Sequence, residues 1–252
     1  MTDVHVQSYR RRRQSRPKEP PLARALYDPE KQEMLVNGRP AIVRSSSFVI
    51  IPRVTPDLEG EDVVISARAI REAAASTLDD LLGFGVVPPT YIRKYPTHAG
   101  PAAASFQTPI EGKDLWEVTD LHLVNENDMI KIFILDFILG QTDRHKSNIL
   151  IDKKGHAWAI DNEASLEGSF PGGAGGGYPA DKNAAWKFTR ERAVPRSVRN
   201  ALKSLVFEDF ITALVGVSRD KADAAWKRKL IAENWVRVPG EFAIKDIWHK
   251  TV

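Results

Sequence analysis

The rhythm of hydrophobic and polar positions changes near residue 112. Before it, short β-branched runs alternate with turn residues. "MLVNGRPAIVR" sets Asn37-Gly38 between apolar runs, a hairpin signal. "SSSFVIIPRV" and "EDVVISARA" predict two further strands around the turn-rich "TPDLEG". "ISARAIREAAASTLDDLLGFG" predicts a helix: Ile70, Ala74, Leu78 and Leu81 or Leu82 recur at helical spacing, and Gly83 and Gly85 stop it. "VVPPTYIRKY" reads as extended, because a residue before proline avoids the helical region. "ASFQTPIEG" reads as a strand leading into a joint at Gly112.

Beyond that joint the pattern is mainly helical. "NENDMIKIFILDFILGQ" is apolar almost all round, which predicts a buried core helix capped by Asn125 or Asn127. "NILID" and "HAWAID" predict two strands joined by Lys153-Lys154-Gly155. "SVRNALKSLVFEDFITALVG" and "RDKADAAWKRKLIAENW" predict two amphipathic helices. There is no internal repeat. The expected class is α+β: a small antiparallel sheet with one helix, then a mainly helical part carrying one hairpin. The expected divisions are an arm at 1–24, a sheet-bearing part at 25–112 and a helical part at 113–252.

Composition adds exclusions. The 252 residues are 42% hydrophobic and 27% charged, ordinary for a globular protein. There is no cysteine, so disulfides, cysteine-ligated zinc and cysteine nucleophiles are excluded, and a reducing, cytoplasmic setting fits. Met129 to Leu139 is too short to span a bilayer and is broken by Lys131 and Asp136. The N-terminus has no apolar signal-peptide core. The net charge of +3 is uneven: residues 1–24 carry seven basic groups and two acids, so the remainder is about −2. Arg10, Arg11, Arg12 and Arg13 dominate that arm, and Pro17, Pro20 and Pro21 discourage regular structure in it. It reads either as a solvated terminus or as a contact for nucleic acid, an anionic surface or an acidic protein partner.

The chemistry concentrates in "DFILGQTDRHKSNILIDKKGHAWAIDNE". Phosphoryl transfer from ATP needs magnesium held by oxygen ligands, a group to orient or deprotonate the acceptor hydroxyl, and positive charge against the phosphates. Asp143 follows the buried helix, Asn148 opens the first hairpin strand, and Asp161 ends the second. A hairpin would fold Asp161 back toward Asn148. The plain alternative is an acidic turn cluster that caps the helix and the hairpin.

This stretch resembles the catalytic and metal-binding loops of the phosphoinositide 3-/4-kinase-like superfamily, closest to its small bacterial and phage members. "REAAASTLDDLLGFGVVPPTYI…ASFQTPIEG" is similar to that family's first-lobe helix, strand and hinge, and "VPRSVRNALKSLVFEDF" to its last helices. The resemblance covers roughly residues 62–232. It implies a two-lobed protein-kinase-like fold with a reduced N-lobe at 25–112 and a C-lobe at 113–252, with ATP and Mg2+ as cofactors. By position it implies Asp143 as the residue that orients or deprotonates the acceptor, with His145 as a second candidate. It implies Asn148 and Asp161 as metal ligands, and Thr108 to Glu111 as the hinge beside adenine. Glu72 matches the helix acid that pairs with a strand lysine. Ser66 stands where that lysine is expected, so Arg68 or Arg53 would have to substitute, although a guanidinium is larger and planar. The phosphate-covering loop is Ser45-Ser46-Ser47 instead of glycine-rich.

Other features carry less. "PGGAGGG", Pro171 to Gly177, lacks a following Gly-Lys-Ser/Thr, and reads as an activation-segment equivalent or a plain linker. Asp136 inside the apolar helix needs partners, expected to be backbone amides of the Asp143 loop. His98, His122, His156 and His249 have no metal-ligand spacing, and the six tryptophans are scattered. Three functions follow: a phosphotransferase acting on a protein or small-molecule hydroxyl, a pseudokinase docked by its arm in a larger assembly such as a virion, or a nucleic-acid binder working through the arm.

Overall fold

The computed structural model describes residues 25–28, 33–36, 39–44, 48–50, 64–97, 100–167, 183–189 and 191–235. Side chains are described from residue 65 on, apart from 94–102 and 235. The arm with Arg10 to Arg13, the Asn37-Gly38 turn, Ser45 to Ser47, Arg53, His98, the "PGGAGGG" run and His249 lie outside the described residues. The chain divides into two units, Met1–Pro40 and Ala41–Val252. In the first, β1 (Ala25–Asp28) and β2 (Glu33–Val36) pair antiparallel, with Ala25 opposite Val36 and Asp28 opposite Glu33.

The second unit begins with a sheet around β7 (Gly100–Gln107). Strand β6 (Thr90–Thr97) pairs antiparallel with all of β7. Strand β3 (Arg39–Arg44) is antiparallel to β7 through Ile42 to Arg44. Strand β5 (Val64–Ser66) is parallel to it, and β4 (Phe48–Ile50) adds antiparallel to β5. The expected sheet was antiparallel throughout. One pairing is parallel because a helix and then β6 intervene between β5 and β7, a long crossover of the kind a parallel pair requires.

That helix is α1 (Ala67–Leu82). Ile70, Ala74, Leu78 and Leu82 are buried at the expected spacing, and Gly83 closes the helix at φ 65°. Its start differs from expectation. Strand β5 stops at Ser66, and the Ser66 hydroxyl accepts from the Ala69 amide at 3.0 Å as the N-cap. Ser66 is thus both the last residue of β5, opposite Phe48, and the cap of the helix, and no linker separates strand from helix.

A buried charge marks the other end of α1. Asp79 accepts from the Val86 amide at 3.1 and 3.2 Å. Burial pushes its carboxyl from 3.8 up to about 7, against the pull of amides at Gly85 to Val87. Between those values the folded chain binds more protons than the unfolded one, so this group's contribution to stability falls as pH rises. The expected outcome is that Asp79→Asn flattens the decline of melting temperature between pH 4 and 7 relative to wild type. Parallel melting curves across that range would contradict the assignment.

Residues 108–111 connect β7 to a second, three-stranded sheet of β8 (Gly112–Asp114), β9 (Ile149–Asp152) and β10 (Ala157–Ala159). The expected hairpin is β9 with β10, and β8 adds to its free edge. Helix α2 (Glu126–Leu139) is buried at every position except Glu126, Asn127 and Lys131. Asn125 caps it by accepting from Asn127 and Asp128 amides. Around it pack residues of α1, the small sheet, and helices α3 (Ala184–Thr189), α4 (Arg196–Ser204), α5 (Phe207–Ala213) and α6 (Arg219–Trp235), in one continuous core. Helices α4 and α5 replace a single expected helix. The chain is extended at Leu205 and Val206, and Glu208 and Asp209 then fall in a new first turn, where acids suit the helix dipole. The described residues thus form an α+β arrangement, a sheet with one helix followed by a mainly helical part.

Candidate active site

The C-terminus of α2 delivers the site. Gly140 ends the helix in the left-handed region at φ 65°, and the chain turns into Gln141-Thr142-Asp143-Arg144-His145. A short 3-10 turn, Lys146–Asn148, then leads into β9. Asn148 and Ile160 close the open end of the hairpin, where the Ile160 amide donates to the Asn148 carbonyl at 3.1 Å. Asp161 follows directly, so it stands beside Asn148. The Asn148 side-chain amide donates to the Asp143 carbonyl at 2.9 Å, which joins the Asp143 loop to the same end.

Arg144 holds this junction together. Its side chain is 0% exposed. Nε donates to both oxygens of Asp136, at 3.2 and 3.0 Å, and one terminal nitrogen adds a bond to Asp136 at 2.9 Å. The same guanidinium reaches the Asn148 carbonyl at 2.9 Å, the Ile160 carbonyl, and Asn162 Oδ1 at 2.5 Å. One planar fork thus ties the core helix, the start of β9, the end of β10 and the residue after Asp161. Asp136 was expected to meet backbone amides. Its partners are Arg144 and the Asn183 amide, at 2.9 Å, because a buried carboxylate needs an opposite charge and several donors, which the guanidinium fork supplies together. Burial raises the Asp136 carboxyl, and Arg144 and Asn183 pull it back.

Helix α1 grips the segment after Asp161. Asn162 Nδ2 donates to Glu72 at 3.4 Å. Arg68 pairs with Glu163 at 3.1 Å, and Arg71 donates to the Glu163 carbonyl at 2.5 Å and pairs with Glu167 at 2.7 Å. Burial lowers the Arg71 guanidinium pKa, opposed by Glu167. Glu72 is the helix acid for which Ser66 left no strand lysine, and Asn162 is one of its hydrogen-bond partners. Arg68, 41% exposed, is engaged by Glu163.

The remaining expected residues divide. Asp143, 68% exposed, stands in solvent with His145 Nε2 at 4.0 Å from its carboxylate. Thr108 donates its amide to the Pro89 carbonyl at 2.9 Å. Glu111 is 90% exposed and pairs with Lys153 at 3.4 Å. Gly112 lies opposite Asp152, so Glu111 sits by the hairpin turn, about 13 Å of strand from Asn148. Thr108 to Glu111 therefore joins the two sheets but does not bring Glu111 to the acidic end.

The donor set suits magnesium. Among the described residues, no three His, Cys, Asp or Glu side chains gather to hold a metal alone. Asn148 and Asp161 are neighbours along the open end of the hairpin and could supply an amide and a carboxylate oxygen, and magnesium is ordinarily held by one or two protein oxygens with phosphates and water completing the shell. Asp161 has φ 57°, a left-handed conformation for a non-glycine residue. Such strain is typical of functional positions, and Asp tolerates it better than bulky residues do.

Comparison with known proteins meets this site. Residues 126–182 match the family model described as phosphatidylinositol 3- and 4-kinase. The match takes in α2, the Asp143 loop, the hairpin and the start of the segment after it. Over these residues the chain is similar to that kinase family. The solved structure of hydra Fam20 with sugar aligns over 86% of this chain and 82% of that one, at 18% identity and a TM-score of 0.46. A comparison with curated proteins finds no match.

Residues 1 to 24 lie outside the described residues. No helix among the described residues is long and apolar enough to cross a membrane. Sequence reading gave Arg144, Gln141 and Asn162 no role of their own. The lone acid in an apolar helix was the available signal for Arg144, since such a carboxylate calls for a cation in the adjoining loop.

Proposed function

We propose that the chain is an ATP- and magnesium-dependent phosphotransferase acting on a protein or small-molecule hydroxyl. The observation that carries this reading is the meeting of Asp143, Asn148 and Asp161 at one end of the hairpin, fixed from behind by Arg144. Asn148 and Asp161 are the ligands for magnesium, which would neutralise phosphate charge and align the phosphates for in-line attack. Asp143 orients the acceptor hydroxyl and takes up its proton, with His145 beside it as a second acceptor. Arg68 is the cation for the phosphates, exchanging Glu163 for the ligand. Thr108 to Glu111 form the hinge toward adenine.

The test is Asp143→Asn, which keeps size and removes the base. Transfer of the γ-phosphate is expected to fall about 10²–10⁴-fold while the affinity for ATP holds. Transfer at the wild-type rate would sink the role of Asp143.

One observation favours a second reading. Ser66 is spent on capping α1, and Arg68 is already paired, so the phosphate cation must be recruited away from Glu163. In that reading the chain is a pseudokinase, a binding module docked through Arg10 to Arg13 in a larger assembly such as a phage virion. Deleting residues 1–20 would then abolish incorporation into the assembly, and retained incorporation would exclude docking by the arm.

A further inference from the structure

Gln141 is buried, with 1% of its surface exposed, directly behind the site. Its backbone amide donates to the Asp136 carbonyl at 2.9 Å, which completes the helix cap, so the side chain is not needed there. A buried carboxamide must be satisfied at both ends. Gln141 Oε1 accepts from the Asp143 amide at 3.0 Å, and Nε2 donates to the Asp161 carbonyl at 3.0 Å. One side chain thus spans the backbones of the acceptor-side and metal-side acids. The Asp161 end is where a hold matters, because that residue sits at φ 57°. Leu166, at φ 56°, is held in turn by the hydrogen bond its amide donates to the Leu139 carbonyl at 2.8 Å. The end of α2 therefore fixes both strained residues of the 161–166 turn.

We propose that Gln141 is a positioning residue of the transfer site, whose carboxamide sets the spacing between Asp143 and Asp161. The inference rests on the phosphotransferase reading. It makes Gln141 a spacer that couples the acceptor-orienting carboxylate to the metal ligand. A displacement of about 1 Å at such a site costs roughly a hundredfold in rate.

The experiment uses the full chain and two variants. Gln141→Met keeps the volume and removes both bonds. Gln141→Glu keeps acceptance from the Asp143 amide and removes the donor to Asp161. ATP binding is measured calorimetrically against magnesium concentration, well below each variant's melting temperature, with phosphate transfer measured alongside. Both variants should need about tenfold more magnesium for half-maximal ATP binding. Gln141→Met should lose about a hundredfold in kcat, and Gln141→Glu less, because its Asp143 contact survives. A purely structural side chain would lower the melting temperature and leave the magnesium requirement at the wild-type value. That result in either folded variant overturns the inference alone. A wild-type protein that binds no ATP with magnesium overturns the phosphotransferase reading and this inference with it.

Discussion

Arg144→Ala is expected to lose roughly 3–5 kcal/mol of folding stability, read as a fall in the urea midpoint. The substitution leaves the Asp136 carboxylate in the core with the Asn183 amide as its remaining side-chain donor. It also removes donors from the carbonyls of Asn148 and Ile160 and from Asn162. Any one of these losses costs about 1–3 kcal/mol when the partner stays buried, and the charge costs most. Arg144→Lys should recover part of the loss, since it restores the charge but not the fork. An unchanged midpoint for Arg144→Ala would mean that Asp136 is neutral or hydrated, and that the site is held by other contacts.

The second large effect belongs to Asp161. Asp161→Asn keeps the shape and, like Asp, tolerates the left-handed backbone at φ 57°, so it isolates the charge better than alanine does. Removing an outer partner of a metal ligand typically costs 10–100-fold in metal affinity, and removing the ligand's own charge should cost about a hundredfold or more. The variant should keep its melting temperature, because Asp161 contributes its carbonyl to Gln141 through the backbone, which the substitution leaves in place. A collapse of stability would instead make Asp161 a structural acid.

Much of this site could be read along the chain. The α2 helix declares itself by an apolar run with Asn125 before it and Gly140 after it, and the structure ends it at those residues. Two short strands around Lys153-Lys154-Gly155 leave little choice of register, so Asp161 returns beside Asn148. What stayed hidden is of two kinds. Strand β8 is three residues, Gly-Lys-Asp, with no apolar alternation. It exists because β9 offers a free edge, which only the fold creates. The inward path of Arg144 is the second kind. Arginine is usually exposed, and the loop around it is polar throughout, so local pattern points outward. Its burial is dictated by Asp136, eight residues earlier and inside the helix. Ser66 was legible in principle: a serine just before a run with helical spacing is an N-cap signal, and it competes with reading "EDVVISARA" as continuous strand.

The Asp143 loop and the hairpin lie within the match over residues 126–182, whereas under the phosphotransferase reading the cation for the phosphates is the least conventional part of the site. If Arg68 supplies it, nucleotide binding must break the Arg68 to Glu163 pair, and α1 would keep its hold on the segment through Arg71 and Glu72. The reduced sheet lobe would then work with a helix-borne arginine in the place of a strand-borne lysine.

The most direct measurement is calorimetric titration of ATP into the full chain, with and without magnesium, for wild type and Asp161→Asn. The phosphotransferase account predicts saturable binding to wild type that requires magnesium and is weakened about a hundredfold or more in the variant. Absence of binding to wild type, or equal binding by both proteins, would contradict it.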